Sequence, residues 1–258
     1  MIDIGANLTD KSFSDDLHVV LEQAQEAGLS AIVVTGTDVA ASQAAQKLAH
    51  NFPDALYSTA GVHPHHADEV GENWIEALTE LARLREVVAI GETGLDYFRD
   101  FSPREDQKEV FVLQLQLARD LAMPIFIHDR DSHGDMARLL SMHLASPSVV
   151  HCFTGNAEAL KSYLDLGCYI GITGWVCDER RGSELAGLIP NIPLDRLLIE
   201  TDAPYLLPRT IRPRPRSRRN EPKYLVYVAQ KVAELTSKSI QEIAEVTTQN
   251  AKQLFRLP

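Results

Sequence analysis

Short runs of apolar, mostly β-branched residues recur along the chain, each bounded by Gly, Pro, Asp or Thr. They are Ile2-Asp3-Ile4, Ala31 to Val34, Leu56 to Ala60, Val87 to Ile90, Pro124 to Ile127, Ser148 to Val150, Cys168 to Ile172 and Leu197 to Ile199. Runs of this length and composition predict strands. Between them, apolar residues return at helical spacing. Leu17, Val20, Leu21, Ala24 and Ala27 share one face of a predicted helix, and similar patterns cover Trp74 to Leu84, Glu105 to Leu121 and Ala157 to Leu166.

Eight predicted strands alternating with helices over 258 residues match the size of a (β/α)8 barrel. Strands apolar along their whole length suit a parallel sheet buried on both faces. A doubly wound open sheet is the rival, but Gly5-Ala6-Asn7-Leu8 after the first strand lacks the G-x-G-x-x-G phosphate turn. One interruption stands out. Pro208, Pro213, Pro215 and Pro222 forbid a regular helix from Leu207 to Pro222 and predict an extended loop after the eighth strand. With no repeat or linker in view, residues 1–258 are expected to form one barrel.

Composition narrows the setting. The chain is 45% hydrophobic and 24% charged, as in ordinary globular proteins. Its 25 basic and 36 acidic residues give a net charge of −11, against a broadly basic surface that coats duplex nucleic acid. Six arginines nevertheless crowd between Arg209 and Arg219 with no acid among them: an acidic body with one concentrated basic segment. That segment has two readings, a loop holding a phosphate backbone and a loop pairing with the protein's own acids. The start, Met1-Ile2-Asp3, lacks the basic-then-apolar pattern of a signal peptide, and no run approaches the roughly 18 apolar residues of a membrane span. Cys152, Cys168 and Cys177 lack C-x-x-C spacing and read as reduced thiols. A cytoplasmic monomer away from membranes is expected.

In such barrels the reacting groups stand where strands end. The third run leads into Gly61-Val62-His63-Pro64-His65-His66, the fourth into Gly91-Glu92-Thr93-Gly94-Leu95-Asp96 and the fifth into His128-Asp129-Arg130. The sixth meets His151-Cys152, and the eighth meets Glu200-Thr201-Asp202. A lone strand-end histidine is more often a hydrogen-bonded structural residue. Barrel closure, however, would bring His63, Glu92, His128, His151 and Asp202 around one axis. Imidazole and carboxylate are the ligands of a hydrolytic divalent-metal site. Asp96 is open between a turn cap and a ligand, Glu200 is open between orienting a ligand and pairing with an arginine, and His18, His50, His133 and His143 are expected to face solvent. Trp175, Tyr97, Phe153 and Tyr205 lie near these motifs, where aromatics pack or stack on unpaired bases.

At these residues the sequence resembles the TatD family of metal-dependent deoxyribonucleases. The resemblance runs through Gly61-Val62-His63-Pro64-His65, Gly91-Glu92-Thr93-Gly94-Leu95-Asp96-Tyr97, His128-Asp129-Arg130, His151-Cys152-Phe153-Thr154-Gly155 and Glu200-Thr201-Asp202-Ala203-Pro204, and on through Arg219-Asn220-Glu221-Pro222 almost to the C-terminus. Gly171 to Gly182 marks one branch of the family. The resemblance implies a TIM barrel of the metallo-dependent hydrolase type and a magnesium-dependent 3′-to-5′ exonuclease acting on single-stranded DNA and RNA ends, with a part in repair of oxidised DNA. It also implies that Glu92, His128 and His151 hold the principal cation. Asp202 would be a ligand or general base, and His63 would touch a phosphate oxygen or the leaving group. His65, Arg130, Arg216, Arg218 and Asn220 are expected at the substrate. One or two ions are implied; Mn²⁺ or Zn²⁺ also suits imidazole ligands. The sequence departs from the wider family at Gly5 and Asn7, where an H-x-H pair is usual. An amidohydrolase acting on a small molecule and a metal-free nucleic-acid-binding protein are the alternative readings.

Overall fold

The computed structural model describes residues 1–258 and contains one eight-stranded parallel sheet in the order β1 to β8. The strands are β1 (Ile2–Ala6), β2 (Ala31–Val34), β3 (Leu56–Ala60), β4 (Val87–Asp96), β5 (Ile125–Arg130), β6 (Ser148–Val150), β7 (Tyr169–Ile172) and β8 (Leu197–Ile199). The ring closes just beyond β8, where Asp202 N donates to Gly5 O at 2.8 Å and Asn7 N donates to Ala203 O at 2.7 Å. The predicted barrel is therefore the observed one. No helix is long and apolar enough to cross a membrane.

Helices follow each strand: α1 (Leu17–Glu26), α2 (Val39–Asn51), α3 (Trp74–Ala82), α4 (Arg104–Asp120), α5 (His133–His143), α6 (Ala157–Asp165), α7 (Ser183–Leu188), then α8 (Leu225–Thr236) and α9 (Ile240–Phe255) after β8. Their starts are chemically marked. Asp38 and Asn156 accept hydrogen bonds from Ala41 N and Ala159 N at the heads of α2 and α6, and Ser239 accepts from Glu242 N to open α9. The loop contains no helix from Leu207 to Glu221, as its prolines predict, and Pro222 opens a short 3-10 turn ahead of α8.

Strand pleating sorts the core in two. Ile32 and Val34, Ile125 and Ile127, and Leu197 and Ile199 face the helices. Their alternates Val33, Phe126 and Leu198 join Ile2, Ile4, Tyr57, Val149 and Tyr169 in a smaller cluster inside the ring, sealed by Ala251, Leu254 and Phe255 of α9.

Two strands run further than the apolar pattern predicts. β4 continues past Ile90 to Asp96 and β5 past Ile127 to Arg130. Gly91 and Gly94 look like strand terminators in the sequence, yet the chain takes up a register shift between Ile90 and Thr93 and resumes pairing, Gly94 opposite His128 and Asp96 opposite Arg130. A bulge of this kind re-aims side chains without ending the ladder.

Candidate active site

On three strands an inward-facing apolar residue of the inner cluster is followed, two positions on, by a polar one. Phe126 leads to His128, Val149 to His151, and Leu198 to Glu200, with Asp202 two positions further. These side chains meet above the apolar floor, and the Phe126 and His151 rings stack with centroids 4.4 Å apart. The cavity lined by His128, His151 and Asp202 holds about 780 Å³ and also presents His63, Glu92 and Asn7.

Glu92 is the hub. Its Oε1 lies 2.7 Å from His151 Nε2, 3.1 Å from His128 Nδ1 and 3.4 Å from His63 Nε2. Burial pushes its carboxyl up, but His151, His63 and His128 outweigh burial and hold it well below the ordinary range. The same carboxylates act on the imidazoles. Burial lowers His151, but Glu92 and Glu200 raise it well above the ordinary value. His63 goes the other way: burial, only partly opposed by Glu92, takes it down to about 4. It is thus a neutral ring at physiological pH, and its Nδ1 accepts from His65 N at 3.1 Å. A neutral imidazole that accepts at Nδ1 carries its proton on Nε2. His63 therefore presents an N–H into the cavity.

Behind these groups stand two further carboxylates. Glu200 is fully buried; its Oε2 lies 3.3 Å from His151 Nδ1, and its Oε1 accepts from Cys152 N at 2.5 Å. Asp96 Oδ2 lies 2.8 Å from His65 Nε2 and 3.4 Å from His128 Nε2, while Oδ1 accepts the Phe98 and Arg99 N–H groups. Asp96 thus caps a turn and braces two imidazoles. Burial raises its carboxyl, but His128, His65 and the Arg99 N–H bring it below the usual range. Asp202 accepts from Asn7 Nδ2 at 3.1 Å, and burial, with Glu92 and Glu200 adding to it and His151 opposing, pushes it up to about 7.

Glu200 also accounts for two glycines. A Cβ at position 5 would collide with its Oε2, and one at position 171 would stand 2.7 Å from its Oε1. At the two positions that depart from H-x-H, Gly5 leaves room for the Glu200 carboxylate and the Asn7 amide donates to Asp202.

The donor set fits a divalent cation. Ligand atoms of Glu92 and His128 lie within 4.8 Å of each other and of His63, whose neutral ring already holds its proton on Nε2, and His151 Nε2 lies 2.7 Å from Glu92 Oε1. His128 Nε2 is buried with no hydrogen-bond partner, because its contact with Asp96 is not aligned for one. A buried imidazole nitrogen without a partner is costly, and a cation would satisfy it.

With this geometry in view, relatives are informative. The family described as TatD related DNase matches residues 2–256. The chain belongs to that family. A protein of Erwinia billingiae named 3′-5′ ssDNA/RNA exonuclease TatD is 51% identical over 260 residues, and one of the same name from Pantoea vagans is 50% identical over 259, each match covering 100% of both chains. The crystal structure of the TatD homolog YjjV from Escherichia coli K12 superposes with a TM-score of 0.90 at 31% identity, covering 100% of this chain and 98% of the other.

In this TatD-family barrel the expected residues divide. His63, Glu92, His128, His151 and Asp202 come together, and His65 and Arg130 line the same cavity. Arg216 and Arg218 are exposed and lie outside that lining. Asn220, expected at the substrate, is instead fully buried; its amide donates to Thr201 O at 2.9 Å and pins the loop after β8. Both readings of the arginine segment hold in part. Arg209 pairs with Asp178, Arg219 pairs with Asp16 and Glu221, and Arg212 donates to carbonyls of its own loop, while Arg214, Arg216 and Arg218 stand in solvent.

Of the aromatics singled out, Phe153 is core and the Tyr97 hydroxyl donates to Asp135 at 2.7 Å; Trp175 and Tyr205 line the cavity. His18 and His50 face solvent as expected, but His133 and His143 are half-buried because their helix packs on its neighbours. Phe101 and Arg99, which also line the cavity, went unread because charged neighbours make their loop look merely solvated.

Proposed function

We propose that the chain is a divalent-cation-dependent 3′-to-5′ exonuclease of single-stranded DNA and RNA, working as a cytoplasmic monomer. The names of full-length relatives at about half identity support the reaction. The observation that carries the metal dependence is the buried His128 Nε2, which makes no hydrogen bond although Asp96 Oδ2 lies 3.4 Å away, on a ring whose Nδ1 lies 3.1 Å from Glu92. Glu92, His128 and His151 would hold the cation, with Mg²⁺ as the expected ion and Mn²⁺ or Zn²⁺ also compatible with imidazole ligands. Glu200 keeps His151 oriented through Nδ1, leaving Nε2 to face the cavity.

A bound divalent cation supplies Lewis acidity to a phosphoryl oxygen and eases deprotonation of water. The side chains provide the rest. Asp202, aligned by the Asn7 amide, accepts a proton from the attacking water. His63 donates its Nε2–H to a phosphate oxygen or the leaving group.

The test uses a 5′-labelled single strand with Mg²⁺. Glu92→Gln and His128→Ala are expected to lose cleavage by at least about a hundredfold while keeping the wild-type circular dichroism spectrum. Wild-type protein should leave a shrinking ladder that retains the label. Full activity in both variants overturns the assignment.

A further inference from the structure

The aromatic residues of the chain are nearly all withdrawn from solvent. Among its phenylalanines, tyrosines and tryptophans only three side chains are exposed: Phe98 at 55%, Phe101 at 64% and Tyr205 at 56%. The other large exposed apolar residues, Val19, Leu84, Met142 and Ile240, are scattered singly over helices and their ends, as on any soluble protein. Two of the three aromatics, Phe101 and Tyr205, by contrast line one cavity, and Phe98 packs against Arg130, which lines it too. Phe98 and Phe101 lie in the loop from β4 to α4, and Tyr205 follows β8. In a ring ordered β1 to β8, β4 and β8 are diametrically opposed, so Phe101 and Tyr205 occupy opposite rims of the cavity they both line.

Charge completes the pattern on the Phe101 side. Arg99 and Arg130 line the same cavity and form no ion pair with the protein, and the Arg130 guanidinium lies 4.3 Å from the centroid of the Phe98 ring. The neighbouring cavity, of about 720 Å³, is lined by Asp129, Asp131, Asp135 and Glu184, which would repel a phosphodiester backbone.

We propose that Phe101 and Tyr205 form a nucleobase subsite that takes the last two bases of a strand out of their stack, with Arg99 and Arg130 holding the phosphates upstream. The proposal rests on the nuclease reading and deepens it: it identifies the feature that demands an unpaired end. Every nucleobase has a π-face, so such a subsite accepts any base sequence. A base still paired in a duplex cannot enter it without first breaking its pair.

The experiment compares two 5′-labelled strands, identical except that the last two nucleotides of one are abasic. Wild-type protein with Mg²⁺ is expected to favour the base-containing strand in kcat/KM by roughly a hundredfold, about tenfold for each of the two stacked bases. Phe101→Ala and Tyr205→Ala should each move that ratio towards one, and Tyr205→Phe should restore it, since the ring and not the hydroxyl is at work. A ratio unchanged in both alanine variants, or absent in the wild type, overturns the subsite. Wild-type protein that cleaves neither strand overturns the nuclease reading instead. The subsite is then judged by quenching of 2-aminopurine at the 3′ end, which Phe101→Ala abolishes if the subsite exists and leaves intact if it does not.

Discussion

Two layers of the barrel interior, one residue pair apart on the same strands, have opposite chemistry. Phe126, Val149 and Leu198 form a floor closed from below by α9, and His128, His151 and Glu200 stand one pleat higher. The lower layer is apolar and buries its surface at no electrostatic cost. The upper one concentrates carboxylates and imidazoles whose charges shift one another's proton affinities. Stability and chemistry are therefore stacked along the barrel axis, and substitutions in the two layers should have different signatures.

The largest effect is expected at the floor. Phe126→Ala removes a fully buried ring and should cost about 3–5 kcal/mol in denaturant unfolding. It should also reduce activity per folded molecule, because the His151 ring loses the surface it stacks on. A cost under about 1 kcal/mol would break the comparison, since the floor would then not be tightly packed.

The upper layer should respond in binding. Asp96→Asn keeps the shape but weakens the charged brace on His65 and His128, so Mg²⁺ affinity, read from the activity titration, should fall about ten- to a hundredfold with little change in unfolding free energy. Unchanged affinity together with a large stability loss would reassign Asp96 to the floor's role. The smallest effect belongs to Ser239→Ala, which removes the cap of the helix that seals the floor. About 1 kcal/mol of stability should be lost, with the Mg²⁺ titration midpoint unmoved.

The same layering decides what was legible in the sequence. The floor announces itself as apolar runs. The groups above it are legible as well, because a polar residue directly after such a run has only the barrel mouth to occupy; Glu92, His128, His151 and Asp202 were found this way. The lengths of β4 and β5 were hidden because Gly91 and Gly94 mimic turn residues while serving a bulge. Asn220 was misplaced because a polar side chain in a loop full of arginines and prolines gives no sign that it folds inward. Phe98 and Phe101 escaped notice for the converse reason: apolar residues among Arg99, Asp100 and Arg104 are indistinguishable in sequence from loop residues that pack inward.

The space shared by Gly5, Gly171 and Glu200 also constrains how such a barrel can change. A histidine at position 5 and a glutamate at position 200 would compete for one volume. Imidazole introduced alone meets the Glu200 carboxylate, which must swing aside and give up its contacts with His151 and Cys152, and a shortened residue 200 alone leaves a void and an unsupported His151. The two positions are therefore coupled, and what a substitution at one costs depends on where the side chain of the other can go.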